Sequence, residues 1–175
     1  MERSDPKITE LIDCSEPSLL GPGAVDHSRT DSALLKLMNE ARAARSLPPL
    51  KHHPALLKAA QSHSQDQADH NQISHYGLAH SSTWADRCRE AGYPGADLST
   101  IGENVAAGQI SAEQVMGDWM RSPGHRDVIL NPKYEHAASA SATGSRGWTY
   151  WTTDFGCGAP DPAPEPPKDL DYLLV

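Results

Sequence analysis

Apolar residues recur at helical spacing through the first two thirds of this chain and give way, after residue 135, to strand-like patterning. Leu34, Leu35, Met38 and Ala41 fall on one helical stripe, preceded by Thr30-Asp31-Ser32 as candidate caps and stopped by Pro48-Pro49. Pro54, a residue suited to a first turn, opens a second helix that runs through Leu56, Leu57, Ala59 and Ala60 to about His70. A third spans Trp84 to Ala91 and is closed by Gly92. Ser111 and Gln114 make a capping box for a fourth, Ala112 to Arg121, which Pro123 ends; Gly124 to Leu130 adds a short helical turn. Then His136 to Thr143 alternates Ala with Ser, and Trp148 to Phe155 is rich in Trp, Thr and Tyr, which suit strands. Gly144-Ser145-Arg146-Gly147 reads as the hairpin loop between them. Helices first and strands last predict an α+β fold.

At 175 residues the chain accommodates one domain with tails. Residues 1–30 mix Pro, Gly, Ser and charges without a period and are expected to be a flexible leader, with the domain over 31–158. The tail, 159–175, begins Ala-Pro-Asp-Pro-Ala-Pro-Glu-Pro-Pro-Lys, which favours an extended polyproline conformation. Its last residues, Leu170 to Val175, are apolar enough to dock but too few to place. The net charge of −8 and the scatter of Lys and Arg argue against a nucleic-acid partner. No apolar run is long enough for a spanning helix, and Met1 to Lys7 shows no secretory signal. Of the three cysteines, Cys14 lies in the leader, Cys88 in a helical pattern and Cys157 after the last strand; a Cys88–Cys157 disulfide and two small buried thiols both stay open.

Three segments carry candidate chemistry. Trp119-Met120-Arg121-Ser122-Pro123-Gly124-His125-Arg126 puts His125 just past a Pro-Gly break. Ser74-His75-Tyr76-Gly77 and Gly102-Glu103-Asn104 place a second imidazole and a carboxylate beside glycines, which let backbone turn sharply or approach a ligand. Two neutral imidazoles and a carboxylate form a recognised catalytic-zinc ligand set, and imidazole equally suits copper or nickel. The same residues also serve in ordinary structural roles, His75 and His125 bonding loop backbone and Glu103 capping a turn. His63, Gln67 and His70 share a predicted helical face, but two turns, about 10 Å, separate the two histidines, too far for one ion. His52 and His53 read as a helix start, His27 as part of the leader, and His80 and His136 as solvated loop residues. No Gly-x-Ser-x-Gly elbow, Gly-rich phosphate loop or Cys-x-x-Cys pair is present. Ser122, three residues before His125, is too local a partner for a triad.

The order of these segments resembles the CAP superfamily of cysteine-rich secretory, venom-antigen and pathogenesis-related proteins, in its compact bacterial branch. The resemblance covers roughly Asp31 to Gly156 and rests on Leu34 to Arg42, Leu47-Pro48-Pro49-Leu50, Ser74 to Gly77, Ala85-Asp86-Arg87, Ala91-Gly92-Tyr93, Gly102 to Ala106, Trp119 to Arg126, Asn131-Pro132-Lys133-Tyr134 and Tyr150-Trp151-Thr152. It implies a three-layer α-β-α sandwich around an antiparallel sheet, with His75, Glu103 and His125 in one surface cleft. It further implies a module binding a divalent cation such as zinc through His75 and His125, or a lipid, peptide, glycan or protein partner. The alternative it offers is a metal-assisted peptidase with Glu103 as general base, and a third reading is a purely structural or partner-recognition domain. Longer members carry a second glutamate where this chain has Ser122, which removes one acid and favours binding over hydrolysis. Asn104 could orient Glu103 and Arg126 could neutralise it, or both serve only structurally; Tyr76 either lines the cleft or, the commoner case, packs beside its glycine. The resemblance places the protein outside the cytoplasm, while the missing signal leaves the cytoplasm open.

Overall fold

The computed structural model describes residues 27–163. Its elements run α1 (His27–Ala43), β1 (Lys51–His52), α2 (Pro54–His70), α3 (Trp84–Glu90), β2 (Ile101–Ala107), α4 (Ala112–Arg121), α5 (Pro123–Ile129), β3 (His136–Thr143) and β4 (Thr149–Gly156). Local chemistry sets most of the ends. His53 caps α2 by accepting from the Ala55 N–H, Pro54 fills its first turn, and Asn71 closes it in the left-handed region at φ 50°. Thr83 and Asp86 form a reciprocal capping box on α3, and Ser111 caps α4 by accepting from Gln114 N. Residues 1–26 and 164–175, which include Cys14 and the apolar Leu170–Val175, lie outside the described residues.

The strands make one sheet in the order β1-β3-β4-β2, antiparallel except for the two-residue β1, which runs parallel to β3. Strand alternation gives the sheet two unlike faces. Ala138, Ala140, Ala142, Tyr150, Thr152, Asp154, Ile101 and Glu103 face α2 and α3, whereas Ala137, Trp151, Phe155, Asn104 and Ala106 face α1, α4 and α5. The alanines of β3 let α2 lie close against the sheet. The result is an α-β-α sandwich.

Some polar residues take positions that local patterning does not reveal. Thr30, Asp31 and Ser32, expected as caps, lie inside α1, which starts at His27. β1 ends too early to pair with the middle of β3, so the Ser139 N–H donates to the buried Asp31 carboxylate at 2.7 Å instead. His136, expected in a solvated loop, is 1% exposed at the start of β3, where Nδ1 meets Tyr93 Oη at 3.0 Å and Nε2 meets Asp161 at 3.2 Å. Asp161 also pairs with Lys51, tying the first tail residues to the domain. A Cβ on Gly156 would run into the buried Tyr93 ring, so only glycine admits the tyrosine there. Cys88 and Cys157 are free thiols, the first buried and the second half-buried with its Sγ against Thr100 O.

Arg42, fully buried, holds one side of the sandwich together. Its guanidinium donates to the carbonyls of Pro48, Ile129, Asn131 and Tyr134, tying α1 to the segment that links α5 to β3. Burial lowers its pKa, yet an arginine stays charged at neutral pH. Arg42→Met keeps the aliphatic bulk and leaves four carbonyls without this donor. We expect a loss of at least about 3 kcal/mol in urea unfolding, whereas a loss under about 1 kcal/mol would show that water replaces the guanidinium without strain.

Candidate functional site

The candidate cleft lies over the free edge of β2, the last strand of the sheet. Because neighbouring residues of a strand point to opposite faces, Glu103 faces α2 and α3 while Asn104 faces α5. An edge strand therefore lets both faces of the sheet contribute to one groove. His75 approaches from the loop after α2, and His125 from the first turn of α5. Two adjoining hollows share His75, Glu103 and Val128. One, about 390 Å³, is walled by Tyr76, Trp84, Ile101, Gly102 and Tyr134. The other, about 240 Å³, is lined by Asn104, Ser122, Gly124 and His125. The groove is thus apolar and aromatic at one end and polar at the other.

Glu103 is the hub. Its side chain is 1% exposed, and its Oε1 accepts from His75 Nδ1 at 2.9 Å. In that bond Nδ1 is the donor, on a ring that is 45% exposed. Oε2 pairs with the Arg87 guanidinium, which also donates to His75 O at 3.1 Å and Ser82 O at 3.0 Å. Arg87 thereby both neutralises the acid and pins the loop that carries His75. His63 Nε2 lies 3.9 Å from Oε2 and donates to Ser74 O at 2.7 Å. Burial, before any other influence, depresses the His63 pKa, so the ring is neutral at pH 7.

On the other side, His125 Nδ1 lies 3.0 Å from Ser122 Oγ, and its ring sits 6.4 Å from Trp119. Its pKa is depressed by burial first and by the neighbouring His75 second. Asn104 Nδ2 donates to His125 O at 3.1 Å, so Asn104 anchors the second histidine's backbone, the structural reading, rather than orienting Glu103. The cation on Glu103 is Arg87, not Arg126. Tyr76 lines the groove and is 56% exposed. The presumed common face of α2 also divides: His63 and Gln67 are buried against the sheet while His70 is exposed and bonds back to Asp66 O.

The residues that patterning missed are His63, Arg87 and Asp154. Asp154 sits directly across from Glu103 in the β2–β4 register, wholly buried, and among the described residues neither carboxylate oxygen has a hydrogen-bond partner. Burial first, and the Glu103 charge second, push its pKa well up, against the opposing pull of Arg87. Two acids side by side thus sit in unlike surroundings, Glu103 paired with Arg87 and Asp154 with its pKa pushed up by burial. The available signal was a lone aspartate on the same strand face as Tyr150 and Thr152.

The α-β-α sandwich places His75 and His125 along one hollow at the edge of the sheet. The family model for the cysteine-rich secretory protein family matches residues 35–155, and the chain belongs to that family. It is 34% identical over 122 residues to the Bacillus subtilis protein YkwD, covering 70% of this chain. The chain spans less than half of the curated relatives it matches, 46% of YkwD and 30% of the B. subtilis membrane protein YlbC. Among solved structures, an outer surface protein of Borrelia burgdorferi superposes with a TM-score of 0.65 at 20% identity, covering 78% of this chain and 98% of that one. An extracellular SCP-domain protein of Bacillus anthracis gives 0.65 at 24% identity, covering 79% and 45%. These two likenesses show the fold.

The unlike surroundings of the two acids can be tested. Glu103→Gln leaves Arg87 buried without its counter-charge and is expected to destabilise by about 3–5 kcal/mol. Asp154 works in the opposite sense: its folded pKa lies above the unfolded value of 3.8, so ionisation of the unfolded chain penalises folding as pH rises past that value. Asp154→Asn should therefore raise the melting temperature at pH 8 and lose that gain by pH 3. A loss of stability at pH 8 would mean that Asp154 is ionised and paired.

Proposed function

We propose that this domain is a binding module whose β2-edge groove takes an elongated ligand, apolar at one end and hydrogen-bonding at the other. The observation that carries this is the joining of an aromatic hollow to a two-histidine hollow across Glu103. His75, held by Glu103, and His125, kept neutral by burial, supply the polar contacts; Tyr76, Trp84 and Val128 supply the apolar wall. Lipids, peptides and glycans are the candidate classes. For a divalent cation such as zinc the groove offers the His75 and His125 imidazoles, while both Glu103 oxygens are committed to His75 and Arg87. Among the described residues no group of three or more His, Cys, Asp or Glu gathers to hold a metal. That donor set does not fit a resident zinc centre, which takes three protein ligands or four. A cation would enter only with donors brought by the ligand.

The peptidase alternative requires Glu103 to take a proton from water in the groove. An acid that is 1% exposed and paired with a guanidinium supports a positioning role behind His75 instead. No helix among the described residues is long and apolar enough to cross a membrane. The surface and extracellular descriptions of the Borrelia and B. anthracis proteins support a site of action outside the cytoplasm for this chain too.

Amide and imidazole NMR spectra recorded with decanoate, a blocked tripeptide and N-acetylglucosamine test the module. Shifts confined to His75, Tyr76, Val128 and His125 with at least one class are expected, and they should vanish in a His75→Ala/His125→Ala double variant. Silence with all three classes would overturn the reading. Zinc alone should give only weak calorimetric heats; micromolar zinc binding lost in the double variant would favour the metal-assisted alternative.

A further inference from the structure

The main chain of Glu103, not only its side chain, faces the groove. In the β2–β4 ladder the even residues of β2 exchange hydrogen bonds with β4, as the continuing bond from Gly108 N to Thr149 O shows. The N–H and C=O groups of Ile101, Glu103 and Val105 therefore point outward from the free edge. Two of the outward carbonyls are capped by tryptophans: Trp84 Nε1 donates to Ile101 O at 3.3 Å and Trp119 Nε1 to Val105 O at 3.2 Å. Glu103 lies between the caps. The residue as a whole is 7% exposed while its side chain is 1% exposed, so the surface it shows to the groove is main chain.

We propose that the groove binds an extended peptide segment by pairing it with the outward N–H and C=O of Glu103, as a short extra strand on β2. This rests on the reading of the groove as a binding site and names the occupant. An extended peptide carries a donor and an acceptor on alternate sides at the spacing an edge strand presents. A fatty chain has neither, and would leave both Glu103 groups unsatisfied on covering them. The tryptophan caps limit the pairing. Ile101 to Val105 spans about 13 Å of strand, room for about three ligand residues. The flanking walls then set side-chain preference. The residue nearer Ile101 meets Tyr76, Trp84 and Tyr134 and should be apolar, while the residue nearer Val105 meets Ser122 and His125 and should be an acceptor such as Asp.

The test leaves the protein unchanged and alters the probe. Acetyl-Leu-Ala-Asp-amide and its reverse, acetyl-Asp-Ala-Leu-amide, are titrated into the full chain while the Glu103 amide is followed by NMR. Each peptide is then N-methylated at its second or at its third residue. Strand pairing predicts a downfield shift and slowed exchange of the Glu103 amide. It also predicts that only one of the two methylated forms binds more weakly, by about tenfold, because alternate amides face the edge. Equal affinity of all forms, or equal weakening by both methylations, would overturn strand pairing. If decanoate or N-acetylglucosamine shifts His75 and His125 while neither peptide does, the inference fails and the binding module stands. If none of the probes perturbs the groove, both fail.

Discussion

A carboxylate buried between a sheet and a helix must be met by a counter-charge, and the pairing of Glu103 with Arg87 meets that need here. The other parts of the site are arranged around this pair. Arg87 uses its remaining donors on His75 O and Ser82 O, so the loop that presents the first histidine is fixed by the cation that neutralises the acid. The other oxygen of Glu103 accepts from His75 Nδ1. Asp154, directly across on the next strand, is wholly buried, and burial together with the Glu103 charge raises its pKa well above the usual aspartate value. Acid, loop and imidazole form one electrostatic unit.

The second histidine depends on the other face of the sheet. Asn104 follows Glu103 by one residue and so points the opposite way, where it holds His125 through a backbone carbonyl. One dipeptide on an edge strand thus holds elements on both faces of the sheet. The same edge needs protection from uncontrolled strand pairing, and the indoles of Trp84 and Trp119 supply it at Ile101 and Val105. The groove is what lies between those two caps.

Helix α2, helix α4 and strand β3 have the limits that local signals predict, because caps, prolines and periodicity act within a few residues of each end. Strand β2 has no such signal. Gly102, Glu103 and Asn104 are poor strand formers, and the segment is a strand because β4 offers it a ladder and both faces bury it. Likewise Asp31, in the second turn of α1, satisfies the Ser139 N–H that β1 is too short to reach, a fact about the sheet that no helix pattern contains.

The amino-acid sequence by itself determined the family, the sandwich architecture and the identity of His75, Glu103 and His125 as the residues worth watching, since these rest on motif order and local chemistry. Tertiary structure alone decided what each does. It put Glu103 behind His75 in place of an open position, gave it Arg87 rather than Arg126, and assigned Asn104 to His125. It also brought His63 and Asp154 beneath the cleft from α2 and β4. The physical reason is that a buried charge is governed by whatever lies within a few ångströms in space, and those neighbours come from segments 16 to 51 residues away.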